Sequence, residues 1–493
     1  MRHSFGGAAL AAAAPPPAPP AAPAAATPNP FVEMRSGWRL AVCVVFALYL
    51  GLVVLFALLN GTPGAELMVP ALALLIAVRL WPIMSYRRER YGWFHPLVFT
   101  SLFALVGLAR SFPQYAFGML WHRALPNWSP ERLGALVALE LVLTALGLVA
   151  YYAGYLLVGT PRVPRLRVLA PRAIPLRAAA VGAMGAAIFA YYLSTQGGFV
   201  AHLLSWARSR HTSVAGEFYW LEAAGIGTYA CLLWLSSDHR APLQPVFWGC
   251  AALALMITFL GAGGRGAVIL PMVLGLIVWM LARRRFVLTG PVLLVPLALF
   301  LISVLGEFRN STRTGVLDWD ALTSSPIEAI THAAGGEVLA RATTGSAVIA
   351  ILAHVPDRVD HLYGSTYLAV LSAPVPRSLW PGKPGLAGGR VGRVFFGREG
   401  GVPPGAVGEA YWNFNVPGVV LVFFLFGLFH RWLASLLVAN PEHAWVRVFY
   451  VVGLFSAQPT SSGAVTYLVT LGGLAAVGVA LGLLSLRRNR VRG

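Results

Sequence analysis

The sequence predicts an all-α, polytopic membrane protein of about 12 transmembrane helices with a large, partly helical periplasmic loop. Three observations predict it. Of 493 residues, 57% are hydrophobic and only 11% are charged, too few charges to clothe a soluble chain of this length, and the mean hydropathy is +0.70. Apolar runs of about 18 residues or more recur along the chain. None alternates with period two, so barrel strands are excluded and each run must satisfy its backbone as a helix.

Taken in order, residues 1–36 read as a disordered cytoplasmic tail, rich in Ala and Pro. Pro15, Pro16, Pro17, Pro19 and Pro20 interrupt its apolar run before it reaches the length of a signal peptide. Residues 37–306 carry nine spans, drawn at 38–59, 66–84, 93–110, 133–158, 174–195, 218–236, 243–261, 265–282 and 286–306. Residues 307–413 form the large loop. Residues 414–493 hold the last three spans, at 414–436, 445–461 and 464–486.

Arginine placement orients these spans. With Arg35 and Arg39 in the cytoplasm, alternate loops hold Arg87, Arg88 and Arg90; Arg162, Arg165, Arg167 and Arg172; Arg240; and Arg283, Arg284 and Arg285. The tail then carries Arg487, Arg488, Arg490 and Arg492 on the same side. This satisfies the positive-inside rule, puts both termini in the cytoplasm, and leaves 307–413 outside. The same clusters account for much of the formal charge of +19, so nucleic acid is not expected as a partner. Cys43, Cys231 and Cys250 fall inside spans without metal-ligand spacing and read as small apolar residues. No Asp/Glu/His cluster calls for a metal, and no cofactor is expected.

The chemistry concentrates in the loop. Between 363 and 408 stand Arg377, Lys383 (the only lysine of the chain), Arg390, Arg393 and Arg398 against Glu399 alone. A guanidinium fork matches phosphate oxygens, so this half reads as an anion site suited to a pyrophosphate, or as a surface facing lipid headgroups. Arg309 and Arg313 follow a span at the outer face, and Arg341 opens a short apolar stretch, 340–353, that is re-entrant or interfacial. Gly261-Ala262-Gly263-Gly264-Arg265-Gly266 makes an outer turn. Its arginine reads as a phosphate ligand at the mouth of the bundle or as an interfacial anchor.

Four passages resemble the Wzy-type polymerases of lipid-linked oligosaccharide repeat units. They are Gly263-Gly264-Arg265-Gly266-Ala267; Val355-Pro356 with Tyr363-Gly364-Ser365-Thr366-Tyr367; Pro376-Arg377-Ser378-Leu379-Trp380-Pro381-Gly382-Lys383-Pro384; and Pro403-Pro404 with Gly408-Glu409-Ala410-Tyr411-Trp412-Asn413-Phe414. The resemblance covers roughly residues 260–435, and it departs from the family at Asn415, where glycine is expected.

It implies transfer of a glycan from undecaprenyl pyrophosphate to an acceptor repeat unit, in O-antigen, capsule or exopolysaccharide synthesis. Arg265 and Arg377 are then the expected catalytic cations and Glu409 the expected general base. Arg309, Arg313, Arg341, Lys383, Arg390 and Arg393 are expected to bind the substrate's phosphates. Trp380, Tyr411 and Asn413 are expected to bind its sugars, with Tyr367 and Trp412 as further stacking surfaces. The expected partners are the undecaprenyl-pyrophosphate-linked oligosaccharide, membrane lipid and a chain-length regulator protein. A multispan polyprenyl-phosphate-sugar glycosyltransferase is disfavoured by the single acid, Glu66, in the first outer loop; an O-antigen ligase and a transporter or flippase of lipid-linked sugars stay open. The last would place charged residues deep in the spans and break helices at mid-membrane.

Overall fold

The computed structural model describes residues 29–85, 91–120, 122–169, 173–202, 218–262, 266–287, 347–372, 380, 382, 387–397, 401–456 and 464–484. Among them there is helix and connecting chain, and no strand. The helices are α1 (Ser36–Leu59), α2 (Ala65–Met84), α3 (Pro96–Phe117), α4 (Pro130–Leu156), α5 (Ile174–Thr195), α6 (Phe218–Ala224), α7 (Ile226–Ser237), α8 (Pro245–Ala262) and α9 (Gly266–Arg283). After them come α10 (Ala347–His354), α11 (Ser365–Ser372), α12 (Ala387–Phe396), α13 (Gly405–Ala439), α14 (Ala444–Ser456) and α15 (Ala464–Ala480).

Five of these, α1, α2, α4, α5 and α13, are long and apolar enough to cross a membrane. Their apolar side chains also face outward. On α1 alone Leu40, Leu48, Leu55, Leu58 and Leu59 are exposed, which water would penalise and lipid would not. The chain is therefore a membrane protein. The expected ninth span, 286–306, falls almost wholly outside the described residues.

Local chemistry sets the ends. Ser129 accepts from the Arg132 N–H at 3.3 Å and Pro130 opens α4. Gly118, at φ 61°, closes α3 in the left-handed region. Arg39 donates to the carbonyls of Ile83 and Met84, both at 3.2 Å, and so caps the last turn of α2.

The centre of the bundle is the pair α4–α13, and glycine makes it possible. A Cβ on Gly147 would lie 2.7 Å from the Phe423 ring, and one on Gly427 would lie 2.8 Å from the Tyr155 nitrogen. Small residues of this kind let membrane helices approach backbone to backbone, where dispersion and interhelical hydrogen bonds hold them.

Residues 29–34, the last part of the expected tail, are packed against the bundle. Trp93 N–H donates to Val32 O at 2.9 Å and Phe94 N–H to Phe31 O at 3.2 Å, while Phe31, Val32 and Met34 are buried. Contacts also gather several arginine-rich connections at one end of the bundle. Arg39 caps α2, Leu166 N–H bonds Asn440, Trp279 bonds the His239 carbonyl, and Arg284 pairs with Glu442. Arg87, Arg88, Arg90, Arg172 and the C-terminal arginines lie outside the described residues.

Candidate functional site

α13 is two segments. Phe414 (φ −144°, ψ 21°) and Asn415 (φ 58°, ψ −151°) interrupt it, because Pro417 has no N–H to give the Asn413 carbonyl and its ring excludes that carbonyl from the helical position. The first segment, 405–413, packs with α10 and α12 around Trp412, Phe395 and Ile351 in a small apolar cluster of its own. α10 spans eight residues, about 12 Å at helical rise, and Ala347 to Leu352 are all buried. It is covered by protein.

The break is clasped to the turn before α11. Asn413 donates through Nδ2 to Thr366 Oγ1 and to the Glu409 carbonyl, each at 2.8 Å. Its Oδ1 accepts from the Gly364 N–H at 2.9 Å. One residue earlier, the Trp412 carbonyl accepts from Leu362 N–H at 3.0 Å and from His361 Nδ1 at 3.2 Å, while Trp412 Nε1 donates to the Asp360 carbonyl at 3.2 Å. Tyr363 and Gly364 both take positive φ, 46° and 85°, to make this turn. At 364 only glycine serves, since a Cβ would stand 3.0 Å from the Phe414 ring.

The clasp gathers chemical groups on one wall. The Glu409 carboxyl, buried, meets the Thr366 hydroxyl. Tyr367 lies alongside, and burial, then the Glu409 carboxyl, push its phenol well above the usual value. Arg390 of α12 donates to Ser365 Oγ at 2.8 Å, on the turn that Asn413 grips. A carboxyl, a phenol, two hydroxyls and a guanidinium thus converge from three helices. Beside them, His354 stacks on Phe395, with ring centroids 6.1 Å apart, and meets Trp128, over which Arg132 lies at 3.7 Å. Burial, then the Arg358 guanidinium, lower the His354 imidazole below its ordinary value.

The expected site residues divide accordingly. Glu409 and Arg390 reach neighbouring residues of one turn, Thr366 and Ser365. Asn413 is fully buried with its amide oxygen and nitrogen both engaged by protein, so it holds the wall rather than a sugar. Tyr411 is half-buried against the small cluster, and its neighbour Trp412 is the buried aromatic. Arg393 and Trp380 are exposed. Arg265, Arg309, Arg313, Arg341, Arg377 and Lys383 lie outside the described residues. Among the described residues no group of His, Cys, Asp and Glu is arranged to hold a metal.

Two features carry no signal in the sequence. The hydroxyls of Ser365 and Thr366 are the first, because a hydroxyl signals nothing until its partner's position is known. The second is a buried polar cluster at the far end of α13. Tyr151 Oη and His430 Nδ1 are 2.8 Å apart, and Tyr155 Oη and His95 Nε2 are 2.9 Å apart. All four side chains are buried. No family model, no curated protein and no solved structure matches the chain.

Proposed function

We propose that the chain is a membrane glycosyltransferase that polymerises lipid-linked oligosaccharide repeat units at the outer face of a bacterial inner membrane. In this reading it crosses that membrane about twelve times, with both termini in the cytoplasm and 307–413 as the periplasmic loop. The observation that carries the proposal is the wall at the break of α13, where Glu409 meets Thr366 and Arg390 bonds Ser365, adjacent residues of the turn that Asn413 grips.

The reaction needs those two kinds of group. The oxygen of an acceptor hydroxyl bonds the donor's anomeric carbon as the bond from that carbon to the pyrophosphate oxygen breaks. The hydroxyl proton passes to Glu409, and undecaprenyl pyrophosphate leaves with the bonding pair. Its growing negative charge is met by guanidinium groups aimed at it beforehand. Arg390 supplies one, with Arg265, Arg309, Arg377 and Lys383 as the further cations of the proposal. Arg313, Arg341 and Arg393 extend the phosphate-binding surface, Tyr411 and Trp380 face sugar, and a chain-length regulator is the protein partner.

The test is surface glycan length in the producing strain. Glu409→Gln is expected to cut polymerisation by about 10²-fold or more, leaving single-repeat glycan, and Arg390→Gln to do so less severely. Long chains at normal protein levels in both variants would overturn the assignment. Loss of all glycan from lipid A, with polymer retained on undecaprenyl pyrophosphate, would make the enzyme a ligase.

A second reading, a transporter of lipid-linked sugars, draws on two observations: the broken helix α13 and the buried Arg79 and His430 within the bundle. Purified protein in detergent micelles separates the two. Chain growth from lipid-linked repeats there, without two compartments, belongs to a transferase alone.

A further inference from the structure

We propose that residues 159–169 form a cationic strap that binds the headgroups of anionic phospholipids. The strap joins α4 to α5, both long and apolar enough to cross a membrane, so it starts where a span ends and stands at headgroup level. It carries Arg162, Arg165 and Arg167, and no acidic residue occurs between 157 and 169.

The chain here has no regular structure, and its side chains are sorted. Val163 and Leu166 pack on the core, while Arg162, Arg165 and Arg167 are all exposed. The backbone is fixed from below. Leu166 N–H donates to Asn440 Oδ1 at 2.6 Å, and Asn440 Nδ2 donates to the Pro164 carbonyl at 2.9 Å. Asn440 is itself buried. Arg431 Nη2 adds a bond to Thr160 Oγ1 at 3.0 Å. Three guanidinium groups are therefore presented on a pre-ordered backbone, which loses little freedom on meeting a phosphate.

The partner's class follows from the neighbours. Leu157 and Leu176, at the ends of the two spans, are 81% and 71% exposed, and Val168, within the strap, is 56% exposed. A free phosphate, a nucleic acid or an acidic protein would leave them in water. A phospholipid meets both needs, its phosphate at the guanidinium groups and its acyl chains at the apolar residues.

The experiment uses the full chain purified in detergent, with its melting temperature followed as short-chain phosphatidylglycerol or phosphatidylcholine is added. Phosphatidylglycerol is expected to raise Tm saturably and phosphatidylcholine to have little effect. In R162Q/R165Q/R167Q the half-saturating concentration is expected to rise about fivefold per arginine removed. The triple Arg→Lys variant, which keeps the charge, is expected to retain most of the response. Asn440→Ala, which keeps all three arginines but frees the strap, is expected to weaken it. An unchanged phosphatidylglycerol response in the triple Gln variant would overturn the proposal, as would an equal response to phosphatidylcholine. Inorganic phosphate giving the same shift would replace the lipid with a free anion, and an unchanged Asn440→Ala would overturn the part played by pre-ordering.

Discussion

Each of the two segments of α13 ends on a buried asparagine, and the two are used alike. Asn413 and Asn440 each donate to the carbonyl four residues back on their own helix, Glu409 and Leu436. Each then grips a passing loop with its remaining amide capacity, 364–366 in one case and 164–166 in the other. What differs is the surroundings. At Asn413 the gripped turn closes over a carboxyl and meets an arginine from a third helix, so polar groups point at one another. At Asn440 the gripped strap turns its arginines out to the surface. One side-chain device thus serves a wall of polar groups at the break and an exposed cationic edge at the C-terminal end. The amide suits both, because it offers a donor group and an acceptor without charge, and so costs less to bury than an ion.

The sharpest way to break the comparison is at Asn413. Asn413→Ala leaves the Gly364 N–H without its acceptor in a buried place, and is expected to cost about 3 kcal/mol in denaturant titration of the detergent-solubilised protein. Asn440→Ala removes the same number of bonds beside an exposed loop, where water can replace some of them. It is expected to cost about 1.5 kcal/mol. Equal losses at the two sites would show that the surroundings do not matter.

Asn415 offers a change of the opposite sign. Its φ of 58° with ψ −151° lies where glycine is at home, so Asn415→Gly is expected to stabilise the protein by about 1 kcal/mol. Destabilisation would mean that the bond from Val416 N–H to Asn415 Oδ1, at 2.8 Å, outweighs the backbone strain.

The smallest effect is a pH dependence at the Asn413 end. His354 sits below its ordinary 6.5, pushed there first by burial and then by Arg358. The folded state therefore binds fewer protons than the unfolded one. The contribution of His354 is complete above that ordinary value and is lost as pH falls below it. Melting curves of the wild type and His354→Gln between pH 7.5 and pH 5 (about one unit above to 1.5 below the ordinary value) are expected to converge as pH falls. Parallel curves would remove His354 from the account.

At Asn415, where glycine was expected, the backbone takes a positive φ of 58° beside the break in α13. Glu409 and Arg390 could be nominated from residue type, because carboxylates and guanidiniums advertise their chemistry. Asn413 could be nominated but not given its role, since an amide reads the same whether it faces a ligand or a neighbouring loop. Ser365 and Thr366, and the pairs Tyr151–His430 and Tyr155–His95, join residues far apart in the chain, and no local spacing announces them.

The sequence by itself determined that the chain is helical and belongs in a membrane, because hydropathy and the need to satisfy every backbone group act over about 20 neighbouring residues. It also determined where positive charge is concentrated; the break in α13 it did not announce, since Pro70, Pro82, Pro113 and Pro271 lie inside helices that carry no such break. Only the tertiary structure decided which charges meet. Hydrogen bonds reach about 3 Å, and whether two side chains come that close depends on helix packing set elsewhere, here by the glycines that let α4 and α13 touch.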